Sequence, residues 1–235
     1  MKNKQFTTRL TALVLAVMLA AIGMTGCGDT TPTEAPTEDT SYLQAYEEYV
    51  DSVLDANYHA EYDAYMTITG ANKENASNAH EVHVVNLVLQ LADWYDIKLD
   101  KLPEEIGDEL TEICREIYMK VDYRISGSEK SGDSVVVLAE IKPMDYLTAA
   151  SEAAGQYTKD FNDRAKAGEF ERMTESEYEN EYAKGLLEVL EDSVDDVVFG
   201  AAKTYRIKIQ YDTNTGVSYI GEDDLAAIDQ MIFAQ

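Results

Sequence analysis

His80-Glu81-Val82-His83 places two imidazoles three residues apart, close to one turn of a helix, where both can approach a single metal ion. The zinc-hydrolase pattern His-Glu-x-x-His needs the imidazoles four apart, with the glutamate between them as general base. The spacing here is three, so that motif is absent. His80 and His83 are metal-ligand candidates only if another carboxylate joins them; the plainer reading is two histidines near a helix start. Asp212, Asn214 and Gly216 share the opening of a calcium loop, but the glycine stands fifth where the loop needs it sixth, and the flanks alternate like strands. A hairpin turn accounts for them, since Asp, Asn and Gly tolerate its backbone angles. Cys114 lies beside Ile113 and Ile117 in a helical pattern and reads as a buried thiol. The sequence contains no Gly-x-Ser-x-Gly elbow, phosphate-binding glycine loop or Cys-x-x-Cys. Acid pairs such as Asp195-Asp196 and Asp223-Asp224 are expected from abundance alone. No catalytic residue, metal or cofactor is assigned.

The other cysteine, Cys27, carries a more specific signal. Met1 to Arg9 holds Lys2, Lys4 and Arg9 and no acidic residue. Leu10 to Met24 is almost entirely Leu, Val, Ala, Ile and Met, short for a membrane span and of the right length for a leader. Thr25-Gly26-Cys27 then resembles the lipobox of bacterial lipoproteins, with Met24 where Leu, Val or Ile is usual. The resemblance implies transfer of a diacylglyceryl group to the Cys27 sulfur, cleavage before it, and export of the rest. An ordinary signal peptide and an uncleaved anchor helix are the alternatives. Gly28 to Thr40 is rich in Thr, Pro, Glu and Asp with no large apolar residue, so it cannot bury enough surface to fold. Pro32 and Pro36 keep it extended, as suits a tether. The expected organisation is a leader over 1–26, a tether over 27–40 and one globular domain over 41–235.

Loss of residues 1–26 removes Lys2, Lys4 and Arg9, leaving 45 acidic against 16 basic side chains and a formal charge of −29. Such a surface repels nucleic acid and anionic headgroups, so nucleic acid is excluded as a partner. If Cys27 is acylated, Cys114 has no intrachain partner and no internal disulfide forms. The aromatics are skewed toward Tyr, with 16 Tyr against 5 Phe and the single Trp94. Tyrosine tolerates a half-wet position and suits the rim of a core or a ligand surface.

Two periods set the elements that must position these residues. Leu43, Tyr46, Val50, Val53 and Leu54 recur at helical spacing, and Tyr58, Tyr62, Tyr65 and Met66 extend the face to Gly70, a C-cap by residue type. A second helix is expected over about Asn78 to Tyr95; Val82 to Ala92 is apolar nearly all round, which predicts the most buried helix. Pro103 opens a third, with Ile106, Leu110, Ile113 and Ile117 on one face. From Met119 the period becomes two, through Val121, Tyr123 and Ile125, and a Val-rich strand over Ser134 to Lys142 ends at Pro143. Leu147, Ala150, Ala154, Tyr157 and Phe161 line a fourth helix. A capping box at Thr174 and Glu177 opens a fifth. Tyr205, Ile207, Ile209 and Tyr211 alternate again, turn at Asp212 to Gly216, and return through Val217 to Ile220 before a short final helix with Leu225, Ile228 and Ile232. Tyr-Arg-Ile occurs in both hairpins. The expectation is an α+β fold with helices packed on a sheet built from two β-hairpins.

Tyr49-Val-Asp-Ser-Val-Leu-Asp-Ala-Asn-Tyr58, Tyr65-Met-Thr-Ile-Thr-Gly70 and Ile117-Tyr-Met-Lys120 resemble uncharacterised lipoproteins of Gram-positive bacteria. Those are similar in outline to the nuclear transport factor 2-like, or cystatin-like, superfamily. The resemblance implies a curved antiparallel sheet wrapped as a cone around a long helix, with a concave pocket, and transfers no functional residue. The expected role is a non-enzymatic, membrane-tethered module that binds a small ligand or an envelope protein. The alternatives are an enzyme using an Asp/Tyr pocket of that superfold, and a structural or secretion accessory lipoprotein.

Overall fold

The apolar periods resolve into helices and strands in the expected order: helices, hairpin, helices, hairpin, helix. The computed structural model describes residues 41–233, so the leader, Cys27 and the tether lie outside the described residues. α1 (Ser41–Leu54) buries Tyr49, Val50, Val53 and Leu54, residues that spacings of one, three and four put on one face. The helix does not continue unbroken to Gly70. It widens into one π-helical turn, Asp55–His59, which Ala60 ends in the left-handed region at φ 54°. A non-glycine residue seldom adopts that conformation, and π-turns are frequent at functional sites. α2 (Asp63–Thr69) then ends at Gly70, whose φ of 72° is that of the anticipated C-cap.

α3 (Lys73–Trp94) starts ahead of Asn78, because the Asn72 side chain accepts from Asn75 N and caps it earlier. It is not the central helix. Val82, Val85 and Leu89 are 45%, 52% and 58% exposed. Only the face carrying His80, Val84, Leu87 and Leu91 is covered, by the π-turn and by α4 (Glu104–Met119). An all-round apolar pattern cannot say which flank will be covered, and here one is left to solvent. α4 also runs through Met119, so the following strand begins at Asp122.

β1 (Asp122–Ser131) and β2 (Ser134–Lys142) form the first hairpin, with a bulge between Ile125 and Gly127. Two short strands, β3 (Met144–Asp145) and β4 (Val198–Phe199), pair with each other and are too brief to show a period in the sequence. Between them α5 (Tyr146–Lys166) and α6 (Glu175–Asp192) form a helical hairpin, and the Thr174–Glu177 capping box is present. β5 (Lys203–Asp212) and β6 (Val217–Ile220) make the second β-hairpin, and α7 (Glu222–Ile232) follows. The main sheet has the order β1-β2-β5-β6, is antiparallel throughout, and is open. Val137, Ala139 and Ile141 of β2 and Ile207 of β5 meet Leu54, Leu110 and Ile117 in one apolar cluster. The fold is α+β, with helices on one sheet face, and the space between helices and sheet is filled by side chains.

Candidate functional site

The π-turn distributes polar groups to two sides. Toward the interior, the fully buried Tyr58 donates from Oη to Asp229 Oδ1 of α7 at 2.6 Å. His83 Nδ1 lies 3.8 Å from the other carboxylate oxygen, Oδ2. Burial holds the Asp229 carboxyl above its ordinary range, opposed by the nearby His83 and by the Tyr58 hydrogen bond. Tyr118 packs between these rings and Phe233, which meets it edge-on at 5.3 Å. Toward β1, Asp55 Oδ1 accepts from Tyr123 Oη at 2.5 Å and lies 3.0 Å from His59 Nδ1. His59 Nε2 is 2.8 Å from the Val121 carbonyl, and a carbonyl only accepts, so this nitrogen donates.

These partners limit the chemistry open to each group. A general base needs a free lone pair within reach of substrate. His59 has both ring nitrogens engaged within the protein, and Tyr58 is closed off from solvent. His80 is almost fully buried, and its Nδ1 donates to the Asn57 carbonyl at 3.0 Å. His80 and His83 therefore face different partners, Asn57 and Asp229, although they sit on one helix. Among the described residues no three His, Cys, Asp or Glu side chains are grouped to hold a metal ion. Cys114 is buried, and burial pushes its thiol up to about 12, far from the thiolate a nucleophile needs. Asp212 accepts from Asn214 N and Thr215 Oγ1 and closes the β5–β6 turn.

Sequence reasoning missed Asp55, Tyr58, His59, Tyr123 and Asp229. Asp55 and His59 are four apart on a helical stretch, a same-face pair that the sequence does display. Asp229 comes to Tyr58 only through the tertiary fold, and no local signal marks it.

A surface cleft of about 320 Å³ opens beside the interior cluster. It is lined by Trp94 at the end of α3, Phe233 after α7, and Met144, Asp145, Leu147, Thr148 and Ser151 from β3 and the start of α5. Trp94 is 51% exposed, so much of the indole has no protein covering. Asp145 is the N-cap of α5, accepting from Thr148 N at 3.0 Å. A second cleft, of about 550 Å³, is bordered by Asp55, Glu61, Asp63, Tyr62 and Lys73.

The sequence matches no known protein family and no curated protein. Its structure is similar to that of YcdA from Bacillus subtilis subsp. subtilis strain 168, a protein assigned to the lipoproteins, at a TM-score of 0.55 and 15% identity. The likeness covers 83% of this chain but 58% of YcdA, so the chain spans little more than half of that protein. It establishes a shared fold. Among the described residues no helix is long and apolar enough to cross a membrane.

Proposed function

We propose that the chain is an extracytoplasmic lipoprotein, held on the bacterial membrane by a diacylglyceryl group on Cys27, whose folded part is a non-enzymatic binding module. The leader, the Thr25-Gly26-Cys27 step and the acidic tether support the anchor, and the fold shared with YcdA agrees with it. The observation that carries the binding role is a contrast. His59, His80, Tyr58 and Cys114 are engaged or enclosed inside the protein, whereas Trp94 is left uncovered over an apolar cleft. Ligand sites are concave and mostly apolar with a few polar groups, which describes this cleft. The enzyme reading draws on the meeting of Asp229 with a tyrosine hydroxyl, but substrate has no path to a hydroxyl as enclosed as that of Tyr58.

Two measurements test the proposal. Mass spectrometry of the mature N-terminus should find Cys27 first and lipid-bearing, and Cys27→Ser should abolish the added mass and release the protein from membranes. An intact, unmodified Met1 in a soluble fraction would overturn the anchor. The mature protein in neutral detergent should bind a purified envelope component saturably; a thermal stability indifferent to every component offered would count against the binding role.

A further inference from the structure

We infer that the Trp94 cleft takes an organic cation, an ammonium group carried on an apolar stem. The inference rests on the binding role and names the chemistry of its ligand. The lining is apolar or neutral apart from a single charged side chain, the Asp145 carboxylate. An exposed indole is the aromatic side chain that attracts cations best, through the negative potential of its ring face. Leu147 and Phe233 supply apolar surface for a stem, and the Thr148 and Ser151 hydroxyls supply polar contacts. The cleft volume lies at the small-ligand end of the usual range.

Electrostatics beyond the cleft favour the same sign. The N-terminus of α5 contributes roughly half a positive charge, which the full charge of its Asp145 cap outweighs. Asp93 and Asp96 flank Trp94 in the chain, and the one nearby lysine of that segment, Lys98, is held by Asp96. The −29 formal charge of the chain from Cys27 onward raises the local concentration of any cation. The second cleft is more acidic, but Lys73 already lines it. An anionic ligand would find no complementary charge among the residues that line the cleft.

Trp94 is the sole tryptophan, so its emission reports on this cleft alone. The mature protein in neutral detergent would be titrated with choline, with the neutral isostere in which carbon replaces the quaternary nitrogen, and with Nα-acetyl-lysine amide. The expected result is a saturable change in Trp94 emission with a cationic probe, weakened by added salt and not reproduced by the isostere. Asp145→Asn keeps an N-cap acceptor and removes the charge, so it should weaken cation binding at least about threefold with only a small drop in melting temperature. A response to choline alone assigns small quaternary amines; a response to the lysine amide alone assigns a lysine-bearing partner. Equal responses to choline and the isostere would overturn the cation while leaving the cleft as a binding site. No saturable response to any probe would overturn the inference, and binding of an envelope component elsewhere would still uphold the broader role.

Discussion

Tyr58 Oη and Asp229 Oδ1 meet at 2.6 Å from positions 171 residues apart, so one hydrogen bond fastens the π-turn to the last helix. The hydroxyl is enclosed by Tyr118 and His83 rings. Its carboxylate partner sits on α7 beside the buried Ile228 and Ile232 that pack the helix onto the core. Burial raises the Asp229 carboxyl above its ordinary value of 3.8, so the folded protein holds the proton more tightly than the unfolded chain does. Stability then falls as pH rises from that ordinary value through the raised one, and the penalty persists at neutral pH. Asp229→Asn keeps an acceptor for Tyr58 and removes the charge. We expect it to stabilise the protein at neutral pH by a few tenths to about 1 kcal/mol, the carboxylate being partly solvated, and to lose that advantage in acid. Asp229→Ala instead strands the hydroxyl and should cost about 1–3 kcal/mol. Urea midpoints of the three proteins from acid to neutral pH decide the matter; an Asn variant less stable than the parent at neutral pH would refute it.

The sequence displayed what has a period or a cap and concealed what depends on neighbours. Both β-hairpins, the Thr174 capping box, the Gly70 cap and the apolar faces of α4 and α7 were readable because each is fixed by spacing within one segment. Val82, Val85 and Leu89 show the limit: their hydropathy is that of a core, yet among the described residues that flank of α3 stays about half exposed. The π-turn was invisible for a related reason. Inserting one residue shifts a helical face by 100°, and Tyr58, Tyr62 and Tyr65 read equally well on either side of the shift. As for the candidate site, the sequence marks Trp94 only as the single tryptophan and not as a ligand residue, because its cleft is assembled from the ends of α3, α5 and α7, which no single segment records.

His80 should give the fold an acid-sensitive side. Burial lowers its imidazole below the ordinary 6.5, against a smaller opposing effect of the Asn57 hydrogen bond. The unfolded chain then takes up a proton more readily than the native one, so stability is full above 6.5 and is lost as pH falls from there toward the lowered value. Nuclear magnetic resonance titration of the His80 ring should place its midpoint below that of a free histidine. A midpoint at or above the free value would show that the ring is not held neutral against Asn57.

Tyr123 ties β1 to the π-turn through the shortest hydroxyl–carboxylate contact of that region, 2.5 Å to Asp55 Oδ1, and its ring stacks on His59 at 5.4 Å. Tyr123→Phe keeps the stack and removes the bond to a charged acceptor, worth about 1.5–3 kcal/mol when both partners are shielded. Asp55 and His59 are each about a quarter exposed, so a loss nearer 1 kcal/mol is expected. Amide exchange should quicken at Val121 and over residues 55–59, with β5 and β6 unaffected. Uniform acceleration across the sheet would mean that the contact supports the whole fold and not this junction.

Gly185 lets α5 and α6 approach. Tyr157 lies across the α6 backbone and donates from Oη to the Tyr182 carbonyl at 2.9 Å, and a Cβ on residue 185 would fall 2.4 Å from the Tyr157 Oη and 2.7 Å from two carbons of its ring. Alanine favours helix over glycine by about 1 kcal/mol, so an unobstructed Gly185→Ala would stabilise. The obstruction reverses the sign. The ring must move or the helices part, and overpacking of this kind costs about 1–3 kcal/mol. Removing the obstacle should restore the usual preference: in a Tyr157→Ala background the same Gly185→Ala change should be neutral or stabilising, a coupling of about 1 kcal/mol or more between the two sites. Thermal unfolding of the four proteins of this cycle measures it, and additive effects would show that the α5–α6 contact does not depend on the missing side chain at 185.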